Sequence, residues 1–203
     1  MRIKRCGTDA LLVDLDELDE VLGVFAALED AELDGVVDVV PAARTLLVRT
    51  DPGRAELGSI ARRITELPVA PGQRADAGHA ELAVRYDGPD LAEVGELTGL
   101  GERGVVEAHL AQEWTVAFCG FAPGFGYLVG EDSRLHVPRR TSPRTKVPPG
   151  AVGLAGEFTG VYPRESPGGW QLIGRTTERV WDLDRTPPAV LRPGVRVRFR
   201  EVS

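Results

Sequence analysis

Proline at positions 138, 143, 148 and 149 forbids a continuous helix through that part of the 203-residue chain. The surrounding texture agrees. From Trp114 onward, short β-type runs at Thr115–Phe121, Val152–Ala155, Trp170–Ile173 and Val195–Arg200 are separated by Pro/Gly turns. That pattern is the signature of a sandwich or barrel. The last run alternates: Val195, Val197 and Phe199 face one way, Arg196, Arg198 and Arg200 the other. One face is therefore expected to be buried and the other solvated. Glu201 would fall on the apolar side, so the pattern is expected to end before it.

The first 80 residues read differently. Ala10–Val13 is a short apolar run, and Leu18, Val21, Leu22, Phe25 and Leu28 recur at helical spacing. Asp16, Glu17, Asp19 and Glu20 crowd the start of that helix, where the backbone dipole favours anions. Val36–Val40 and Thr45–Val48 read as strands, and Leu57, Ile60, Ala61, Ile64 and Leu67 as a second amphipathic helix. The order β-α-β-β-α predicts a small sheet covered on one face by two helices. Residues 68–79, with Pro68, Pro71, Gly72 and Gly78, read as a linker. The expected division is an α/β domain over 1–80 and a β-rich domain over 81–203. The second opens with a strand at Glu81–Tyr86 and two short helices around Asp90–Thr98 and Arg103–Gln112.

Charge separates the chain again. The net charge is −7, which argues against general nucleic-acid binding. Residues 1–133 hold 11 Lys+Arg and 25 Asp+Glu; residues 134–200 hold 13 and 5. No apolar run approaches the roughly 20 residues that span a bilayer. The start reaches Asp9 before any apolar core, so neither a membrane span nor a secretory signal is expected, and the expected location is cytoplasmic. Cys6 and Cys119 are expected to be reduced, partly buried thiols. With three histidines and no HExxH or CxxC, no dedicated metal site is expected. His109 sits at a helix position that suits a satisfied, semi-buried imidazole.

Three Gly/Pro-rich stretches carry the chemistry. In FCGFAPGFGYL (Phe118–Leu128), Gly120, Gly124 and Gly126 permit backbone angles closed to other residues, while Phe121, Phe125 and Tyr127 are costly to expose. Either the rings plug the barrel, or they wall a site with accessible backbone N–H groups. Pro123 stiffens the same loop. RLHVPRRTSPRTKVPPG (Arg134–Gly150) holds Arg134, Arg139, Arg140, Arg144 and Lys146 beside His136 and no acid. It reads as a solvated basic loop, or as a site for an anion or an acidic protein, since the guanidinium fork suits carboxylate and phosphate. In GEFTGVYPRESPGGWQLIGRT (Gly156–Thr176), Pro167–Gly168 suits the centre of a type II turn with Gly168 at positive φ. Thr159, Tyr162 and Ser166 supply hydroxyls. GxSxG is absent, which disfavours acyl-enzyme hydrolysis.

These strings, in this order and with the ending LRPGVRVRF, strongly resemble the family of the B-type component of 5-oxoprolinase. That family is also known as allophanate hydrolase subunit 1 and as the sporulation-kinase inhibitor (KipI-type) family, and it matches the carboxyltransferase C/D subdomain of urea carboxylase. The likeness is weak over 1–80 and dense from Tyr86 to Phe199. It implies an α+β chain: a small N-terminal α/β sandwich followed by a C-terminal cyclophilin-like β-barrel. Arg139, Arg140 and Arg144 match the family's basic motif; Thr159, Gly160, Tyr162 and Pro163 match TGxYP. Gly126 stands where the family commonly has Pro, and Phe158 where it commonly has Gln.

The resemblance implies one component of a heteromeric, ATP-dependent amide-hydrolysing enzyme, with 5-oxoproline opened to glutamate as the favoured reaction. The partners implied are a C-type component (allophanate hydrolase subunit 2) and, for the full reaction, an A-type component. ATP would be shared with the partner, and Mg2+ is possible. An allophanate or urea-type amide is one alternative. Inhibition of a sensor histidine kinase by direct binding is another. The expected substrate and anion contacts are Gly120, Phe121, Pro123, Gly124, Phe125 and Tyr127 from the first stretch. Arg139, Arg140 and Arg144 come from the second, and Thr159, Gly160, Tyr162, Ser166, Gly168, Gly169 and Trp170 from the third. Arg139, Arg144, Tyr162 and His136 are the catalytic candidates.

Overall fold

The computed structural model describes residues 1–70 and 72–203. Pro71, part of the expected linker, lies outside the described residues. The chain divides into two compact units, Met1–Asp76 and Ala77–Ser203.

In the first unit, strands β1 (Arg2–Cys6), β2 (Ala10–Asp14), β3 (Val36–Pro41) and β4 (Thr45–Thr50) form an antiparallel sheet in the order β1-β2-β4-β3. Helices α1 (Leu18–Ala31) and α2 (Leu57–Glu66) supply Val21, Phe25, Leu28, Ile60 and Ile64 to one core with Leu11, Val13, Leu46 and Val48. Those four strand residues share one face by the period of two along a strand. The order is thus β-β-α-β-β-α, one strand more than expected. Strand β1 reads RIKRC and is mostly exposed. It is an edge strand held by backbone pairing to β2 rather than by an apolar face, so it carries no hydrophobic signal.

The second unit, from Ala77, opens with β5 (His79–Val84), which starts two residues earlier than the expected strand, so residues 77–80 belong to it. After α3 (Leu91–Thr98) and α4 (Gly101–Ala111) come β6 (Trp114–Cys119), β7 (Gly126–Val129), β8 (Arg144–Val147), β9 (Ala151–Ala155), β10 (Phe158–Val161), β11 (Ser166–Gly168), β12 (Gln171–Arg175) and β13 (Arg196–Glu201). Seven of these strands make one sheet in the order β12-β9-β10-β7-β6-β13-β5. Arg85, just past β5, exchanges both backbone hydrogen bonds with Arg175 of β12 at 2.8 and 2.9 Å. That bridge joins the two edges, and the sheet is a nearly closed barrel.

Strand β13 alternates as expected, but it runs on through Glu201, which is exposed and paired with Arg103 at 2.8 Å. The ion pair allows a carboxylate to end a strand whose previous odd positions are apolar. Strands β7 and β10 fall in stretches read as Gly-rich loops.

Alternation along the strands sorts side chains into two clusters. Leu128, Val152, Leu154, Val161 and Ile173 join α3 and α4 in an aliphatic core. Their neighbours Tyr127, Ala151, Ala155, Phe158 and Leu172 join Phe125, Tyr162 and Trp170 in an aromatic one.

Candidate functional site

The aromatic cluster encloses a cavity of about 410 Å3. Phe125 packs edge-to-face on Tyr162 and Trp170, each with centroids 5.3 Å apart, and on Tyr127 at 5.1 Å. Phe158 closes a further side against Tyr127 at 5.6 Å. These perpendicular pairings leave a box rather than a filled stack. Pro138, Ala155, Gly156 and Pro167 complete the walls. One charged group, Arg139, lines the box.

Gly168 makes room in that wall, although not in the way the Pro-Gly pair suggests. It lies in strand β11, and it is absent from the glycines at positive φ, so there is no type II turn. A Cβ at Gly168 would instead run into the Tyr162 hydroxyl. Gly169 lies beside the Arg139 guanidinium, and Gly160 packs under the Phe125 and Trp170 rings. Burial raises the Tyr127 and Tyr162 hydroxyls above the ordinary phenol range, opposed in both by the positive charge of Arg139. Both phenols stay protonated at neutral pH, so they act as hydrogen-bond groups and not as anions.

The basic stretch is not the uniform cationic surface its composition suggests. Asp90, whose side chain is 3% exposed, accepts hydrogen bonds from Arg140 Nη1 and Arg144 Nη2 through Oδ1, both at 2.7 Å. Its Oδ2 accepts from the Leu172 N–H at 2.7 Å. One carboxylate thereby staples the 140–144 segment to β12 at the start of α3. Arg134 pairs with Asp132, and Lys146 with Glu165 at 3.1 Å. Counter-charges absent from the stretch itself thus come from elsewhere in the fold. Arg140 and Arg144 are taken up by Asp90 and do not line the cavity, while Arg139 lines it and stays exposed to solvent.

Several expected contacts lie elsewhere. Gly120, Pro123 and Gly124 line a second groove with Trp181 and Leu191, which shares Phe121 with the cavity. The Ser166 hydroxyl donates to the Arg164 carbonyl at 3.3 Å, and His136 is exposed. Thr159 is fully buried on the aliphatic face. Its hydroxyl donates to the Gly153 carbonyl at 3.1 Å and accepts from His109 Nε2–H at 3.0 Å, so Nδ1 accepts from the Tyr86 hydroxyl at 2.7 Å. Burial pushes the His109 pKa down to about 3, and the ring is neutral. The histidine is a satisfied core group, as its helix position suggested. Cys119 donates to the Leu191 carbonyl and burial raises its thiol to about 11, so it is no nucleophile. Cys6 is exposed rather than partly buried, because β1 is an edge.

Residues missed in the sequence are Asp90 and the apolar walls Pro138, Ala155, Gly156, Phe158 and Pro167. Asp90 gives no local signal, since its arginines lie 50 and 54 residues away. Among the described residues, no group of three or more His, Cys, Asp and Glu is placed to hold a metal, and no helix is long and apolar enough to cross a membrane.

Known proteins share this architecture. The model of the carboxyltransferase domain, subdomain C and D, matches residues 1–191. The B-type component of 5-oxoprolinase from Escherichia coli O157:H7 is 41% identical over 172 residues, 83% of this chain and 79% of its own. The crystal structure of TTHA0988 superposes with a TM-score of 0.78 at 36% identity, covering 97% of this chain and 40% of that one. This chain therefore spans well under half of that protein. The urea amidolyase of K. lactis shares the fold at a TM-score of 0.71 and 18% identity, over 99% of this chain and 15% of that one. The chain belongs to the carboxyltransferase subdomain C and D family, in the branch that contains proteins named as the B-type component of 5-oxoprolinase.

Proposed function

We propose that this chain is a non-autonomous component of a heteromeric, ATP-dependent enzyme that hydrolyses an amide, with 5-oxoproline as its substrate. The observation that supports this most is that Arg139, exposed to solvent, is the one charged side chain in the lining of an aromatic box. A small ring bearing one carboxylate asks for apolar walls along the ring and one fork-shaped cation for the carboxylate. The names of the relatives supply the reaction class: three curated relatives are named as B-type components of 5-oxoprolinase.

The residues present do not fit a nucleoside triphosphate. Only two lysines exist, Lys4 and Lys146. Both are ion-paired, Lys4 with Asp14 and Lys146 with Glu165, and Arg140 and Arg144 are committed to Asp90. No acidic cluster fits Mg2+ among the described residues. We therefore assign the ATP contacts to the C-type and A-type partners, and derive no phosphoryl-transfer step on this chain. What this chain does is bind and orient. Arg139 meets the carboxylate, the neutral Tyr127 and Tyr162 hydroxyls line the same wall, and the rings cover the apolar faces of the ligand.

The experiment is reconstitution of the full chain with its A-type and C-type partners, followed by an ATP-coupled screen of small cyclic and linear amides. Glutamate release from 5-oxoproline is expected, and Arg139→Ala lowers it about a hundredfold, the loss typical of removing one charged substrate contact. Arg144→Ala acts first on stability. Turnover of a different amide would reassign the substrate, and unchanged turnover in Arg139→Ala would remove that residue from the site.

A further inference from the structure

The loop before β7 holds one residue in a conformation its type disfavours. Phe121 has φ 65°. The carbonyl of Gly120 accepts the Ala122 N–H at 2.7 Å, closing a three-residue turn with Phe121 at its centre. With a positive φ at the centre, this is the rare and strained form of the γ-turn. A bulky side chain there is an outlier. Glycine would adopt the angle freely, and the loop is rich in it at 120, 124 and 126, with Gly124 itself at φ 82°. At the neighbouring strained position the chain carries an aromatic ring instead.

Burial does not explain the choice. Phe121 is 56% exposed, against 1% for Phe125. Its contacts are edge-to-face, with Phe125 at 5.3 Å and Tyr162 at 6.2 Å, which stand it at the rim of the Arg139 cavity. Strain of this kind persists where the surrounding fold enforces it, and it clusters at ligand clamps.

We propose that Phe121 is the specificity-determining outer wall of this cavity. Its exposed face is covered by a bound ligand that carries a flat ring and an anionic group, the ring lying on Phe121 and the anion on Arg139. The inference rests on the cavity being the ligand site. It adds the shape the ligand must have and the residue that reads it.

The test uses the full-length chain and two probes, the aryl anion anilinonaphthalene sulfonate and 5-oxoproline, on Phe121→Tyr, Phe121→Ala and Phe121→Gly. The wild type binds the aryl sulfonate. Alanine and glycine lose about tenfold in affinity, the size expected for truncating an aromatic anchor, and tyrosine retains it. Stability follows a different order: Phe121→Gly melts about 2–4 °C above Phe121→Ala, because glycine relieves the positive φ that alanine keeps. No aryl sulfonate binding by the wild type, wild-type affinity in Phe121→Gly, or a glycine variant melting below the alanine one would each overturn the proposal. Binding of the aryl sulfonate but not of 5-oxoproline counts against the substrate reading, and leaves the ring and anion requirement supported.

Discussion

Two clusters share the strands of the second unit and obey opposite rules. The mainly aliphatic one is built from Val, Leu and Ile of the barrel and of α3 and α4, with Trp114 and Phe199 packed on a buried histidine whose ring nitrogens are both bonded. The aromatic one is built from rings that meet edge to face around a cavity of about 410 Å3. Close packing to near-crystalline density is the norm for a protein interior, so the aliphatic side is the ordinary one. The aromatic side departs from it with an open box, a single exposed cation in its lining and a strained, exposed ring. Because side chains alternate, the same strands serve both. Strand β10 sends Thr159 and Val161 to the first cluster, Phe158 to the second, and keeps Gly160 small beneath the rings. Core packing and cavity lining are thus separated by one residue of register.

The comparison predicts that substitutions fall into two classes, and the largest effect tests the boundary between them. Asp90 does not line the cavity; it holds Arg140, Arg144 and the Leu172 N–H beside it. Asp90→Ala leaves Arg140 and Arg144 pressed together without their buried counter-ion, and a loss of about 3–5 kcal/mol in denaturant unfolding is expected. A loss of ligand binding with unfolding unchanged would move Asp90 to the binding class.

A smaller effect tests the aliphatic side. His109 titrates near 3 when folded, against an ordinary value of about 6.5. Between these limits the unfolded chain takes up a proton that the folded chain refuses. The stabilising contribution is therefore complete above about pH 6.5 and is lost as pH falls, at up to about 1.4 kcal/mol per pH unit. Urea unfolding at pH 7 and 5.5 measures it. The slope should flatten in His109→Gln, and an unchanged slope would show that another group carries it.

Much of this division is legible in the sequence, and the exceptions have physical causes. Helix α2 and strand β13 announce themselves because one face of each is buried and the other wet, while α1 shows through its apolar spacing although all of Val21–Leu28 is buried. Strand β1 does not, since RIKRC is held by backbone pairing and ion pairs to β2 with only Ile3 packed on the core. Strands β7 and β10 are masked by glycines that look like loop residues but supply space within the barrel. The aromatic walls Phe125 and Tyr127 stand out as rings too costly to expose among glycines, whereas Phe121, read the same way, is 56% exposed. The fate of the arginines does not stand out. Which of three near neighbours faces the cavity depends on Asp90, and the 50-residue separation hides it.

The central claim is that the box around Arg139 binds a small anionic ring. A crystal structure of the full chain with 5-oxoproline tests it most directly. The account predicts the carboxylate within about 3 Å of the Arg139 guanidinium, the usual charge-assisted distance, and the ring against Phe121 and Phe125. An ordered ligand elsewhere, for instance among His79, Glu113 and Arg198, with the aromatic box untouched, would contradict it.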